Sequence, residues 1–173
     1  MENHPKKLYE YNFWAHQRIL DHLKTLPHEI FNKEIKSTFP SVSATMVHIY
    51  ATEYLWLLVL EGKEMEAAMN EAINLREKLG EQSLSEIEKE FQALNARFQT
   101  FFDSNTDLEK KIILNNPYAG KRETSLAEIV FHIVNHSTYH RGNISAMLHQ
   151  LDESSLMTDY VYYWYSDQLL PNN

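Results

Sequence analysis

From Leu84 to Phe101 the apolar residues fall at Leu84, Ile87, Phe91, Leu94, Phe98 and Phe101. Steps of three and four gather into one continuous face only on an α-helix, and such a face must be buried against another element. Ser83, with Glu86 three residues on, has the spacing of a capping box at the start of this stripe. The arrangement recurs at Ser125 and Glu128, ahead of a stripe through Leu126, Val130, Ile133, Ser137, Ile144, Leu148 and Leu151. Two more helical stretches precede these. One begins at Pro5, where a missing N–H costs nothing, and runs to about Leu26 before Pro27 stops it. The other follows the PSVS turn at 40–43 and continues to Gly62. Only four glycines and five prolines interrupt the 173 residues. An all-α fold follows, with a four-helix bundle as its simplest packing and the whole chain, 1–173, as a single domain. The connection from Gly62 to Gln82 reads as partly helical, and KKIIL at 110–114 as a short extended piece. The aromatic tail TDYVYYWYSDQLL reads as a short helix or turn docked on the bundle.

Composition removes several mechanisms. With no cysteine there is no disulfide, thiolate ligand or thiol nucleophile, so any metal must be held by His, Asp or Glu. A net charge of −8 argues against nucleic acid as a partner. The longest apolar run, YLWLLVL at 54–60, is too short to span a bilayer, and the opening MENHPKKLYE has no apolar signal core. A soluble, cytoplasmic protein without a membrane partner is expected.

The histidines carry the chemistry. His132, His136 and His140 are spaced by four, which brings neighbouring Cβ atoms to about 5–6 Å on one helix face. The first and last are separated by about 12 Å of helix rise, so a single ion takes one adjacent pair. At about 100° per residue, His140 lies roughly 40° from the centre of the apolar stripe, His136 roughly 80° and His132 roughly 120°. Phase therefore favours His136 with His140. The spacing alone also suits an accidental pair or two hydrogen-bonded core histidines. His48 is the leading third ligand, in the most apolar helix on one face with Thr52, Leu55 and Val59, although a core histidine bonded to a carbonyl has the same signature. His16 competes, sharing the inward face of Tyr9, Asn12, Phe13, Leu20 and Leu23. Glu53 falls among Ile49, Trp56 and Leu60, where a carboxylate needs a partner. It reads as a salt-bridged or hydrogen-bonded carboxylate, or as a group that supports a ligand or handles a proton. His4, His22, His28 and His149 read as surface residues.

LYEYNFWAHQRILDHL, SVSATMVHIYATEYLWL, HIVNHSTYHRGNISAML and TDYVYYWYS, in this order and spacing, resemble the DinB/YfiT-like family of metal-dependent enzymes. The resemblance covers essentially the whole chain. It implies a four-helix bundle with up-down-down-up connectivity, commonly assembled as a homodimer. It also implies a divalent metal on His48, His136 and His140, with His132 left out. The chain departs from the family pattern at His16, where similar proteins often carry an amide, and at Asn143, where HRGQ is usual; Asn12, His16 and Glu53 are thus candidate pocket residues. Three neutral ligands leave a Zn²⁺ or Ni²⁺ ion its full charge and an open position, as in catalytic sites. The resemblance further implies a small-molecule substrate and transfer of a low-molecular-weight thiol, with no DNA binding. A metal-binding bundle without turnover and a metal-dependent hydrolase are the alternatives. Thr138, Gly142 and Ser145, with Phe131 beside them, form a face of small residues that would admit the helix of a second copy, or lie open to solvent.

Overall fold

A computed structural model describes residues 4–166. Helix α1 (His4–Thr25) ends where expected, and a short 3-10 turn after Pro27 turns Ile30 and Phe31 into the core. Helix α2 (Val42–Leu60) is capped by Ser41, whose hydroxyl accepts the Ala44 N–H at 3.1 Å. It stops at Gly62, where φ is +96°. The Lys63 N–H reaches back to Leu58 at 2.9 Å and the Gly62 N–H to Val59 at 3.0 Å, a Schellman closure that needs a left-handed residue.

The Gly62–Gln82 connection, read as partly helical, carries a four-turn helix, α3 (Met65–Leu79). Its buried residues are Met65, Ala68, Ala72 and Leu79, so it packs on α2 with a face made half of alanine. Helix α4 (Leu84–Ser104) and helix α5 (Leu126–Gln150) both begin with the expected reciprocal capping boxes. The all-α expectation needs correction between them. KIILNN (β1, Lys111–Asn116) pairs antiparallel with GKRETS (β2, Gly120–Ser125), Lys111 opposite Ser125 and Asn116 opposite Gly120. Gly120 has φ +82°, which the tight connection requires. The molecule is thus mostly helical with a small two-stranded sheet. The tail forms a one-turn helix, α6 (Tyr160–Tyr163), whose Tyr160 and Tyr163 rest on Tyr11; the end of the TDYVYYWYSDQLL segment, 167–170, lies outside the described residues.

Both α1 and α2 touch α4 and α5. Their shared interior is filled by Leu20, Met46, Ile49, Leu57, Phe91, Phe98, Ile133 and Ile144. Tyr9 stacks on Phe98 with ring centroids 4.0 Å apart. By length and composition α2 is apolar enough to cross a membrane, yet 67% of that stretch is buried inside the protein, which is where a core helix of this kind belongs.

Candidate metal centre

His48 comes from the first half of α2, and His136 and His140 from successive turns of α5, which packs against it. Their Nε2 atoms form a triangle with edges of 3.2 Å (His48 to His136), 3.1 Å (His48 to His140) and 3.2 Å (His136 to His140). Hydrogen bonds cannot close such a triangle, because each neutral Nε2 offers either one proton or one lone pair. A cation can. Tetrahedral nitrogen ligands at about 2.0–2.1 Å from an ion stand about 3.3–3.4 Å apart, close to these edges. The three histidines are therefore placed to hold a metal ion.

The surroundings prepare the imidazoles for that role. His140 is buried, while His48 and His136 are half-buried. Burial, followed by mutual repulsion within the cluster, pushes His48 and His136 down to about 4. Burial lowers His140 as well. All three are thus neutral near pH 7, with lone pairs available. His140 donates its Nδ1–H to Asn143 Oδ1 at 3.1 Å, which selects the tautomer whose Nε2 lone pair faces its partners. The Phe39 ring lies 4.6 Å from the His48 ring and 5.5 Å from the His140 ring and shields that side from water.

His16, considered as a ligand from its position on α1, is elsewhere. It is fully buried against Glu53, with Nε2 2.7 Å from Oε1. The same carboxylate oxygen accepts Asn12 Nδ2 at 2.6 Å and Ser137 Oγ at 2.7 Å. Burial outweighs the pull of Glu53 and lowers His16, so the ring is neutral and donates through Nε2. That assignment leaves Nδ1 as a bare acceptor, and it is buried without a partner. Glu53 is held below the usual carboxylate range: burial opposes its charge, and His16, Ser137 and Asn12 together overcome burial. Asn12 passes the connection on, since its Oδ1 accepts Arg141 Nη1 at 2.6 Å. The other Arg141 nitrogen donates to Tyr11 Oη at 3.1 Å and Thr138 Oγ1 at 2.7 Å.

Helix α5 therefore carries two interleaved pairs. His136 and His140 face the metal centre, while Ser137 and Arg141, one residue on and about 100° round the helix, face the buried polar cluster. Sequence reasoning singled out Asn12, His16 and Glu53 but missed Arg141, placed Ser137 merely in the apolar stripe, and overlooked Phe39. The repeated four-residue spacing of Ser137 and Arg141 was the available signal. His132 packs edge-on against Trp56, ring centroids 5.0 Å apart, and stays outside the Nε2 triangle. Of the histidines read as surface groups, His4, His28 and His149 are exposed, whereas His22 is half-buried and its Nε2 lies 2.6 Å from the Ser154 carbonyl oxygen.

A pocket of about 670 Å³ lies at the other end of α2 and touches none of these residues; Glu61, Lys63, Arg97 and Asn115 are among those lining it. The small face of α5 meets the chain itself at Ser145. Ser145 bonds Ser155 at 3.0 Å, and the Tyr11 hydroxyl donates to the Thr158 carbonyl at 2.9 Å, so that segment 155–159 faces Thr138, Gly142 and Ser145 across a pocket of about 490 Å³.

Residues 1–170 match the model of the DinB family. Protein DinB of Bacillus subtilis (strain 168) is 42% identical over 157 residues, which cover 91% of this chain and 91% of that protein.

Proposed function

The chain belongs to the DinB family, and on that premise we propose that it binds a divalent metal through His48, His136 and His140 and acts as a metal-dependent enzyme on small molecules. The observation that carries this reading is the triangle of three Nε2 atoms contributed by two helices. When bound, the ion, Zn²⁺ or Ni²⁺, would supply a Lewis acid that lowers the pKa of a thiol or water. The chain's own contribution is to keep the three imidazoles unprotonated by burial, to hold the His140 proton at Nδ1 through Asn143, and to exclude water on one side with Phe39. The favoured reaction is transfer of a low-molecular-weight thiol to an electrophilic small molecule. Each of these features serves a thiolate acceptor site without requiring a protein acid or base in contact with the reacting atoms.

Further expectations belong to the same reading. The mutual packing of α1, α2, α4 and α5 supports an up-down-down-up four-helix bundle, with α3 and the hairpin as additions. A cytoplasmic homodimer without nucleic-acid or membrane partners completes it. Metal analysis of protein purified without chelators or added ions tests the core of the proposal. About one ion per chain is expected, lost in His48→Ala, His136→Ala and His140→Ala but retained in His132→Ala. Retention by the triad variants would sink the site. Turnover of electrophiles without any thiol would replace transfer by hydrolysis, and a tight ion with no turnover would leave a binding protein.

A further inference from the structure

Arg76, on α3, is an exposed cation without a carboxylate to neutralise it. The residues three and four positions away on its helix are Ala72, Ile73, Leu79 and Gly80, so no acid on α3 reaches it. None of the ion pairs among the described residues includes it. Its guanidinium instead lies over the Phe39 ring, 5.5 Å from the centroid. That ring is the one packed 4.6 Å from His48 and 5.5 Å from His140. In a chain of net charge −8, which repels anions on the whole, this puts an unpaired positive group next to the metal centre. Between Arg76 and His48, α2 and α3 form an open, mostly apolar groove of about 130 Å³ lined by Ala51, Thr52, Leu55, Met69 and Ala72. At about 30 Å³ per water it has room for roughly four waters, the size of a short aliphatic stem.

We propose that Arg76 binds the anionic end of the substrate, which is a small molecule carrying a carboxylate one short aliphatic stem away from the atom taken by the histidine-held metal. The inference rests on the three-histidine metal reading and adds to it a recognition element that none of the ligands supplies. Arg is suited to the role, because its planar fork matches a carboxylate in two parallel hydrogen bonds.

Cobalt-loaded protein and two thiols of equal length, 3-mercaptopropionate and 3-mercaptopropan-1-ol, test this directly. Each thiol gives up its proton to the buffer as its sulfur binds the ion, and the change in cobalt absorption follows binding without any turnover. The carboxylate thiol should bind roughly tenfold more tightly than the alcohol. Arg76→Gln should erase that difference at unchanged cobalt content, and Arg76→Lys should restore part of it. Equal affinities in the unaltered protein, or a preference that survives Arg76→Gln, would overturn the assignment of Arg76 while leaving the metal site standing. Failure to take up cobalt at all would overturn the metal site and this proposal together.

Discussion

Glu53 concentrates three donors on a single oxygen deep in the protein, and the nearest formal positive charge in its network, Arg141, reaches it through Asn12. Removing one member of such a set strands the others in a medium that cannot solvate them. Glu53→Leu is therefore expected to cost about 3–5 kcal/mol in urea unfolding, since three buried donors lose their acceptor at about 1–3 kcal/mol each. Glu53→Gln, which keeps an acceptor in place, should cost clearly less. Equal losses in the two variants would mean that packing volume, and not polar pairing, governs the position. The residues of the candidate site were unequally legible. Spacing and phase select His136 and His140 because four residues on a helix make one face. His48 carried no such local partner and stood out through its apolar helix and the family resemblance. The pairing of His16 with Glu53 was hidden because it joins α1 to α2 across 37 positions, and no periodicity within either helix records it.

Among the elements, those with strong apolar stripes and caps were readable and those without were not. Helix α3 buries two alanines among its four core residues, so its stripe is faint against a polar background. Strand β2, GKRETS, has no apolar alternation at all; it is a strand because β1 supplies its hydrogen-bond partners. The small residues of α5 lie partly open. Ser145 bonds Ser155 of the same chain, and beside that bond the face borders a pocket whose far wall is segment 155–159. For the proposed homodimer, Phe131 and Tyr139 on α5, 42% and 63% exposed, offer an apolar surface. Light scattering should give twice the 20.4 kDa chain mass, and Phe131→Glu with Tyr139→Glu should return it to one. A single-chain mass in the unaltered protein would remove the dimer.

Taken whole, the molecule stores several histidines in a deprotonated state. His48 and His136 are lowered to about 4, and His16, His132 and His140 are lowered too, in every case chiefly by burial. In the unfolded chain these groups titrate near 6.5. Above that pH neither state binds the protons and stability is unaffected by them. As pH falls from about 6.5 toward 4, the unfolded chain takes up protons that the folded one refuses, so the metal-free protein must lose stability across that window. Urea midpoints of metal-free protein should fall between pH 7 and pH 5, and His48→Ala should make the fall shallower. A midpoint that stays level over that range would show that the cluster is more solvated than its packing implies.

The hairpin ends at Ser125, and Ser125 is also the cap from which α5 starts. The helix is thereby clamped in rotation at its first residue, ten positions before the first ligand. Exposed positions such as Phe131 can be substituted and buried ones exchanged for apolar residues of similar size, but inserting or deleting one residue along 126–135 would turn both imidazoles by about 100° while the clamp held. For this stretch of the gene, spelling can drift within the apolar pattern and length cannot.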